Sequence, residues 1–116
     1  MRLLRDETGA GSILVVAILA AVLGLSALSV PLYSVLAMKG VTSGAADAAA
    51  LAAADVAIGR APGVPCLAAA RIAEANGTVL AACQPDGLVI TVRVEGGVLG
   101  FTVGATASAG PPAAKP

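Results

Sequence analysis

Polarity changes abruptly along this chain. Arg2, Arg5, Asp6 and Glu7 open it, and the next charge is Lys39. Between them runs "TGAGSILVVAILAAVLGLSALSVPLYSVLAM", with no polar period to mark a wet face. A helix crosses the hydrocarbon core of a bilayer with roughly 20 apolar residues. Residues 13–33 supply that run, and Tyr33 stands where an interfacial aromatic anchor belongs. The pattern predicts a leader over 1–12 and a transmembrane helix over 13–36. The rival reading, a buried helix of a soluble domain, needs other elements on every side, and the remaining chain is too short to provide them. Pro31 predicts a kink near the end of the span, because its ring frees the carbonyl of Ala27.

After Lys39 the apolar residues become small. The stretch "AADAAALAAADVA", residues 45–57, is a strong helix former with little side chain to bury. That composition predicts a slim helical stalk over 37–60 rather than part of a core, stopped by Gly59 and "APGVP". Gly40, Gly44, Ala48 and Ala52 recur at every fourth place, the spacing of close helix–helix packing. An alanine-rich segment also shows small residues at every other spacing. Asp47 and Asp55 read as solvated surface charges.

A third regime begins near residue 61. "PCLAAARIAEANG" predicts a second helix, with Pro65 in its first turn and Asn76-Gly77 as its C-terminal cap. "NGT" also matches the N-glycosylation pattern. Strand signals follow. "TVLAACQ" ends at the turn sequence "PDG". In "LVITVRVE", Leu88, Ile90, Val92 and Val94 alternate with Val89, Thr91, Arg93 and Glu95. "GG" predicts the next turn, after which Leu99, Phe101, Val103 and Ala105 line one face. The expected fold class is α+β: a long N-terminal transmembrane and alanine-rich helix, then a small helix covering a three-stranded antiparallel meander. The head is expected over 61–109, and residues 110–116 as a disordered tail.

Cys66 and Cys83 bear on the compartment. Ten helical residues from Cys66 rise about 15 Å, and a strand returning from Thr78 to Cys83 covers about 17–20 Å. The two sulfurs come level if the strand runs back beside the helix. A disulfide there suits a domain this small and implies an oxidising compartment. The alternative is a pair of free buried thiols. Arg2 and Arg5 precede the span and Lys39 follows it, which biases the N-terminus to the cytoplasm and the C-terminal domain outside the cell membrane.

Charge and composition exclude other classes. Seven basic and seven acidic residues balance to zero, against a nucleic-acid partner. The chain has no His, so a His-based triad or a His-ligated metal site is excluded. No glycine-rich phosphate loop, metal cluster or activated nucleophile is visible. The sequence therefore predicts no enzyme, catalytic residue, cofactor, metal or small-molecule substrate. A competing secreted form remains. "VLA" at 35–37 fits a signal-peptidase site, and cleavage there would release a small interaction protein beginning at Met38. The length of the apolar run and the acids in the n-region argue against it.

"GAGS" opening one apolar helix, then "AADAAALAAADVA", "PC", "NG" and a second Cys before a strand meander resemble TadE/TadG-like proteins. These are pilin-like components of tight-adherence (Flp) pilus systems. The chain looks most similar to the short actinobacterial helicase/secretion-neighbourhood TadE-like branch. "ADAAALAAA" carries most of the likeness, which extends from Thr8 to about Pro111. The resemblance implies a pilin-like fold, a helix that is both anchor and assembly spine, and partners among other pilin-like or tight-adherence assembly proteins in the membrane. It also implies cleavage of the leader after Gly9 or Gly11. Pilins of this class carry Glu at the fifth mature position. Here that position is Leu14 or Val16, so the usual attraction to a neighbour's new N-terminal amine is missing.

Overall fold

The computed structural model describes residues 2–112, with side chains from residue 9. The side chains of residues 1–8, at the start of the expected leader, and residues 113–116 of the expected tail lie outside the described residues. In chain order the elements are α1 (Arg2–Ala57), α2 (Pro65–Ala75), β1 (Val79–Asp86), β2 (Val89–Val98) and β3 (Phe101–Ala109). The fold is the expected α+β arrangement of one long apolar helix, a short helix and a three-stranded antiparallel sheet. The chain divides into two compact units, residues 1–33 and 34–116.

In the first unit, residues 9–33 of α1 carry no charge and are all exposed. It carries a helix long and apolar enough to cross a membrane. Ser26 and Ser29 donate their hydroxyls to the carbonyls of Val22 (2.8 Å) and Leu25 (2.7 Å), satisfying their polar groups within the helix. Pro31 lies inside α1 without ending it. Proline removes one backbone donor, and in an apolar run the helix satisfies the rest.

In the second unit, the alanine-rich part of α1 is not a stalk. Ala45, Ala46, Ala49, Ala50 and Ala53 are buried in one cluster with Ala69 and Ala73 of α2 and Ile90, Val92 and Val94 of β2. The expected boundary between a stalk ending at 60 and a head beginning at 61 therefore crosses the core. That boundary assumed that small side chains cannot build one. Here alanine instead lets the helix axis approach the sheet closely, while the valines and isoleucine of β2 supply the bulk. The stripe follows helical spacing, starting from the half-buried Val35 and Met38. Thr42, fully buried, donates its hydroxyl to the Met38 carbonyl at 2.7 Å. Gly59, at φ +84°, follows the helix, and its N–H donates to the Val56 carbonyl.

The sheet order is β1-β2-β3, all antiparallel. Ile90, Val92 and Val94 form the buried face, with Ala109, Ala107 and Ala105 of β3 opposite them. Leu88, expected on that face, is exposed in the first hairpin turn. Gly87 takes the first central position of this turn at φ +63°, as a type II′ turn requires. The second turn is not at Gly96-Gly97. Both glycines remain in β2, and the chain reverses at Leu99-Gly100, with φ +51° and +80°. Gly96 falls in step with Ile90, Val92 and Val94. A Cβ there would meet Met38 Cε and Thr42 Oγ1 at 3.0 Å, so its small size permits close approach of α1 rather than a bend.

These contacts give β2 its direction along α1. Gly96 lies at the Met38–Thr42 end of the buried stripe, and Val94, Val92 and Ile90 continue it among the alanines from 45 to 53. Running the other way would carry Ile90 beyond the stripe and leave it uncovered, whereas it is fully buried. β2 is thus antiparallel to α1, and the Leu99-Gly100 turn lies at the residue 34–38 end of this unit. At the other end, a Cβ on Gly110 would stand 3.0 Å from the Leu88 carbonyl oxygen and Val89 Cγ2, and Pro111 is half-buried. Order therefore extends into the expected tail at 110–111.

Candidate functional site

The disulfide corner is built by a helix start and a strand irregularity. Pro65 occupies the first turn of α2 and places Cys66 immediately after it. β1 carries a bulge between Leu80 and Ala82. Without it Leu80 and Cys83, three residues apart, would point to opposite faces. With it, both pack against the buried cluster. Cys66 and Cys83 meet as a disulfide with Cα atoms 5.8 Å apart, closing the expected pair. Closing a 17-residue separation stabilises the folded unit by about 3 kcal/mol.

The cap of α2 is also built from side chains. Asn76 donates its amide to the Ile72 carbonyl at 2.8 Å, and Thr78 donates its hydroxyl to the Ala73 carbonyl at 2.8 Å. Gly77, at φ +74°, completes the exit from the helix. Both polar residues of "NGT" thus have local structural partners.

Each four-residue step from Gly40 through Gly44 and Ala48 to Ala52 advances about 40° beyond a full helical turn, so the four positions cover an arc of about 120° beside the buried stripe. Gly40 and Gly44 are exposed, with nothing within 4 Å of an added Cβ. Ala48 is half-buried. Ala52 lines an open cleft of about 270 Å³ with Asp55, Val56, Ala68, Arg71 and Ile72. Gly9 and Gly11, the candidate cleavage positions, are exposed and helical within α1. Asp47 is exposed, and Asp55 pairs with Arg60 at 3.8 Å.

The outer sheet face is polar. Arg93 pairs with Glu95 at 3.6 Å, Thr91 and Ser108 hydrogen-bond at 2.7 Å, and Gly104 leaves room for the Arg93 guanidinium. The two sheet edges differ. β1 is blunted by its bulge and by Pro85, whereas β3 has neither charge nor proline along its length. Among the described residues, no group of three or more His, Cys, Asp or Glu side chains could hold a metal ion.

The buried register of the alanine helix, the bulge in β1 and the Leu99-Gly100 turn were not foreseen from the sequence. The signal for the turn was weak, because Leu-Gly is not a usual hairpin dipeptide. The place of Gly96 was signalled by its two-residue period with Ile90, Val92 and Val94. No family model, curated protein or solved structure matches the chain.

Proposed function

We propose that this protein is a membrane-anchored, pilin-like assembly component, held by residues 13–36 with its N-terminus in the cytoplasm and its disulfide-bonded unit outside. It resembles the TadE-like proteins of tight-adherence systems, and its partners are other pilin-like or assembly proteins in the same membrane. The observation that carries this reading is the continuity of α1. Exposed apolar residues lead directly into the alanine core without a break in the helix. One continuous helix thereby serves both anchor and head, as an assembly spine requires. The disulfide fits the extracytoplasmic placement. The exposed Gly40 and Gly44 and the unblunted edge of β3 offer surfaces for a neighbouring helix or strand.

A second reading rests on a different observation. The compact unit begins at Ser34, close to the signal-peptidase motif at 35–37, and a chain starting at Met38 retains Thr42 and every buried alanine. Such a chain would be a small secreted interaction protein. Against it stand the length of the apolar run and the acids Asp6 and Glu7 ahead of it. Intact-mass and N-terminal analysis of the natively located protein distinguishes the two. The assembly reading expects residues 13–57 joined to the rest of the chain, with at most a short leader lost after Gly9 or Gly11. A mature terminus at Met38 overturns it.

A further inference from the structure

We propose that the β2–β3 hairpin tip is a second membrane contact, with Leu99 and Phe101 seated in the bilayer interface beside the end of the apolar helix. The inference rests on the reading of residues 13–36 as the span. Its first support is position. Gly96 packs at the Met38–Thr42 level of α1. Leu99 lies three residues further along a strand antiparallel to the helix, about 10 Å. The same distance along a helix is six or seven residues. Measured back from residue 40, midway between Met38 and Thr42, the tip stands at about residue 34, the start of this unit and inside the charge-free run that lasts to Met38.

Its second support is chemistry. Residues 96–104, "GGVLGFTVG", contain no charge and one polar side chain, Thr102. Leu99 is 60% exposed and Phe101, the single Phe of the chain, is 66% exposed. Nothing within the domain covers either side chain fully. Aromatic side chains favour the membrane–water interface, and a lysine beside a span can extend its ammonium to the headgroups. Lys39 is exposed on the helix at this end of the unit. The opposite hairpin follows Gln84 and Asp86 and lacks this character.

The backbone supplies the third. Both central residues of the Leu99-Gly100 turn have positive φ, the type I′ geometry in which Asn, Asp or Gly is favoured at the first position. Leu99 is the one non-glycine described residue with positive φ. A bulky apolar side chain is thus held at an unfavourable backbone position and presented outward. The two-residue turn set by the Val98–Phe101 pairing fixes this backbone, and the Leu99 side chain stays exposed on it. A single helix leaves a head free to tilt and turn about the anchor.

The chain contains no Trp, so single substitutions report without background. Leu99→Trp, Phe101→Trp, Leu88→Trp and Leu23→Trp are made in the full-length protein and reconstituted into phosphatidylcholine–phosphatidylglycerol vesicles. The vesicles contain lipids brominated either near the headgroup end of the acyl chains or near the bilayer centre. Leu23→Trp should be quenched by the deep bromines. Leu99→Trp and Phe101→Trp should lose about half their emission to the shallow bromines, as an interfacial aromatic would. Leu88→Trp, in the opposite hairpin, should be unquenched. Peptide mapping of the Cys66–Cys83 bond checks that each variant has folded, and the two tip positions substitute for one another if one misfolds. Quenching at Leu23→Trp with neither tip variant differing from Leu88→Trp overturns the hairpin contact and leaves the span intact. Absence of quenching at Leu23→Trp overturns the span, and the proposal with it.

Discussion

The two halves of α1 are made from one continuous helix, and both are apolar, yet they meet opposite surroundings. Residues 9–33 carry branched and long side chains with every position exposed. Residues 34–57 carry mostly small ones, and six of their alanines are buried. Side-chain size has separated two tasks. Bulky apolar residues left exposed along a helix call for an external apolar solvent. Alanines at helical spacing call for a sheet close enough to cover them. Apolar character alone does not distinguish these situations; the presence of a partner surface does.

The sharpest way to break this comparison is to place the same charge in each half. Val22→Arg puts a guanidinium near the middle of the span, at a cost of about 3 kcal/mol for insertion. The fraction resisting alkaline carbonate extraction should fall strongly. Leu51→Arg, on the exposed side of the second half, should leave both extraction and thermal melting within about 0.5 kcal/mol of wild type. Firm retention of Val22→Arg would remove the membrane from the account of the first half.

Loss of the disulfide tests whether the second half owes its order to the unit around it. The double variant Cys66→Ser, Cys83→Ser should lose about 3 kcal/mol. Its thermal midpoint should fall by roughly 10–20 °C, while carbonate resistance stays unchanged. An unaltered midpoint would show that the alanine core alone holds the unit.

The smallest expected effect separates neighbouring alanines. Ala49→Leu should cost about 1–3 kcal/mol by overpacking, because Ala49 is fully buried against the sheet. Ala48→Leu, half-buried on the next position around the helix, should cost less than about 1 kcal/mol. If the outer side of α1 serves assembly, Ala48→Leu should weaken association in crosslinking experiments while the melting curve stays near wild type. Equal destabilisation by the two variants would dissolve the distinction between an inner and an outer side.

Much of this fold was legible in the sequence because it rests on local signals. The uninterrupted apolar run required a helix of membrane length. Pro65 and Asn76-Gly77 bounded α2, and the two-residue alternation from Ile90 to Val94 placed the buried face of β2. Cys66 and Cys83 were brought together by the lengths of the elements between them. The features that remained hidden depend on what lies across a gap. Alanine has the same helix propensity whether exposed or buried, so only the approach of β2 turned an expected stalk into a core. Gly96 looks like a turn residue until Met38 and Thr42 occupy the space where its side chain would be. Leu99 has no intrinsic preference for a type I′ turn; the pairing of Val98 with Phe101 put it there. Chain-local chemistry thus determined which elements form, and tertiary packing decided which of their faces became interior, because burial depends on the distance to a partner rather than on the residue alone.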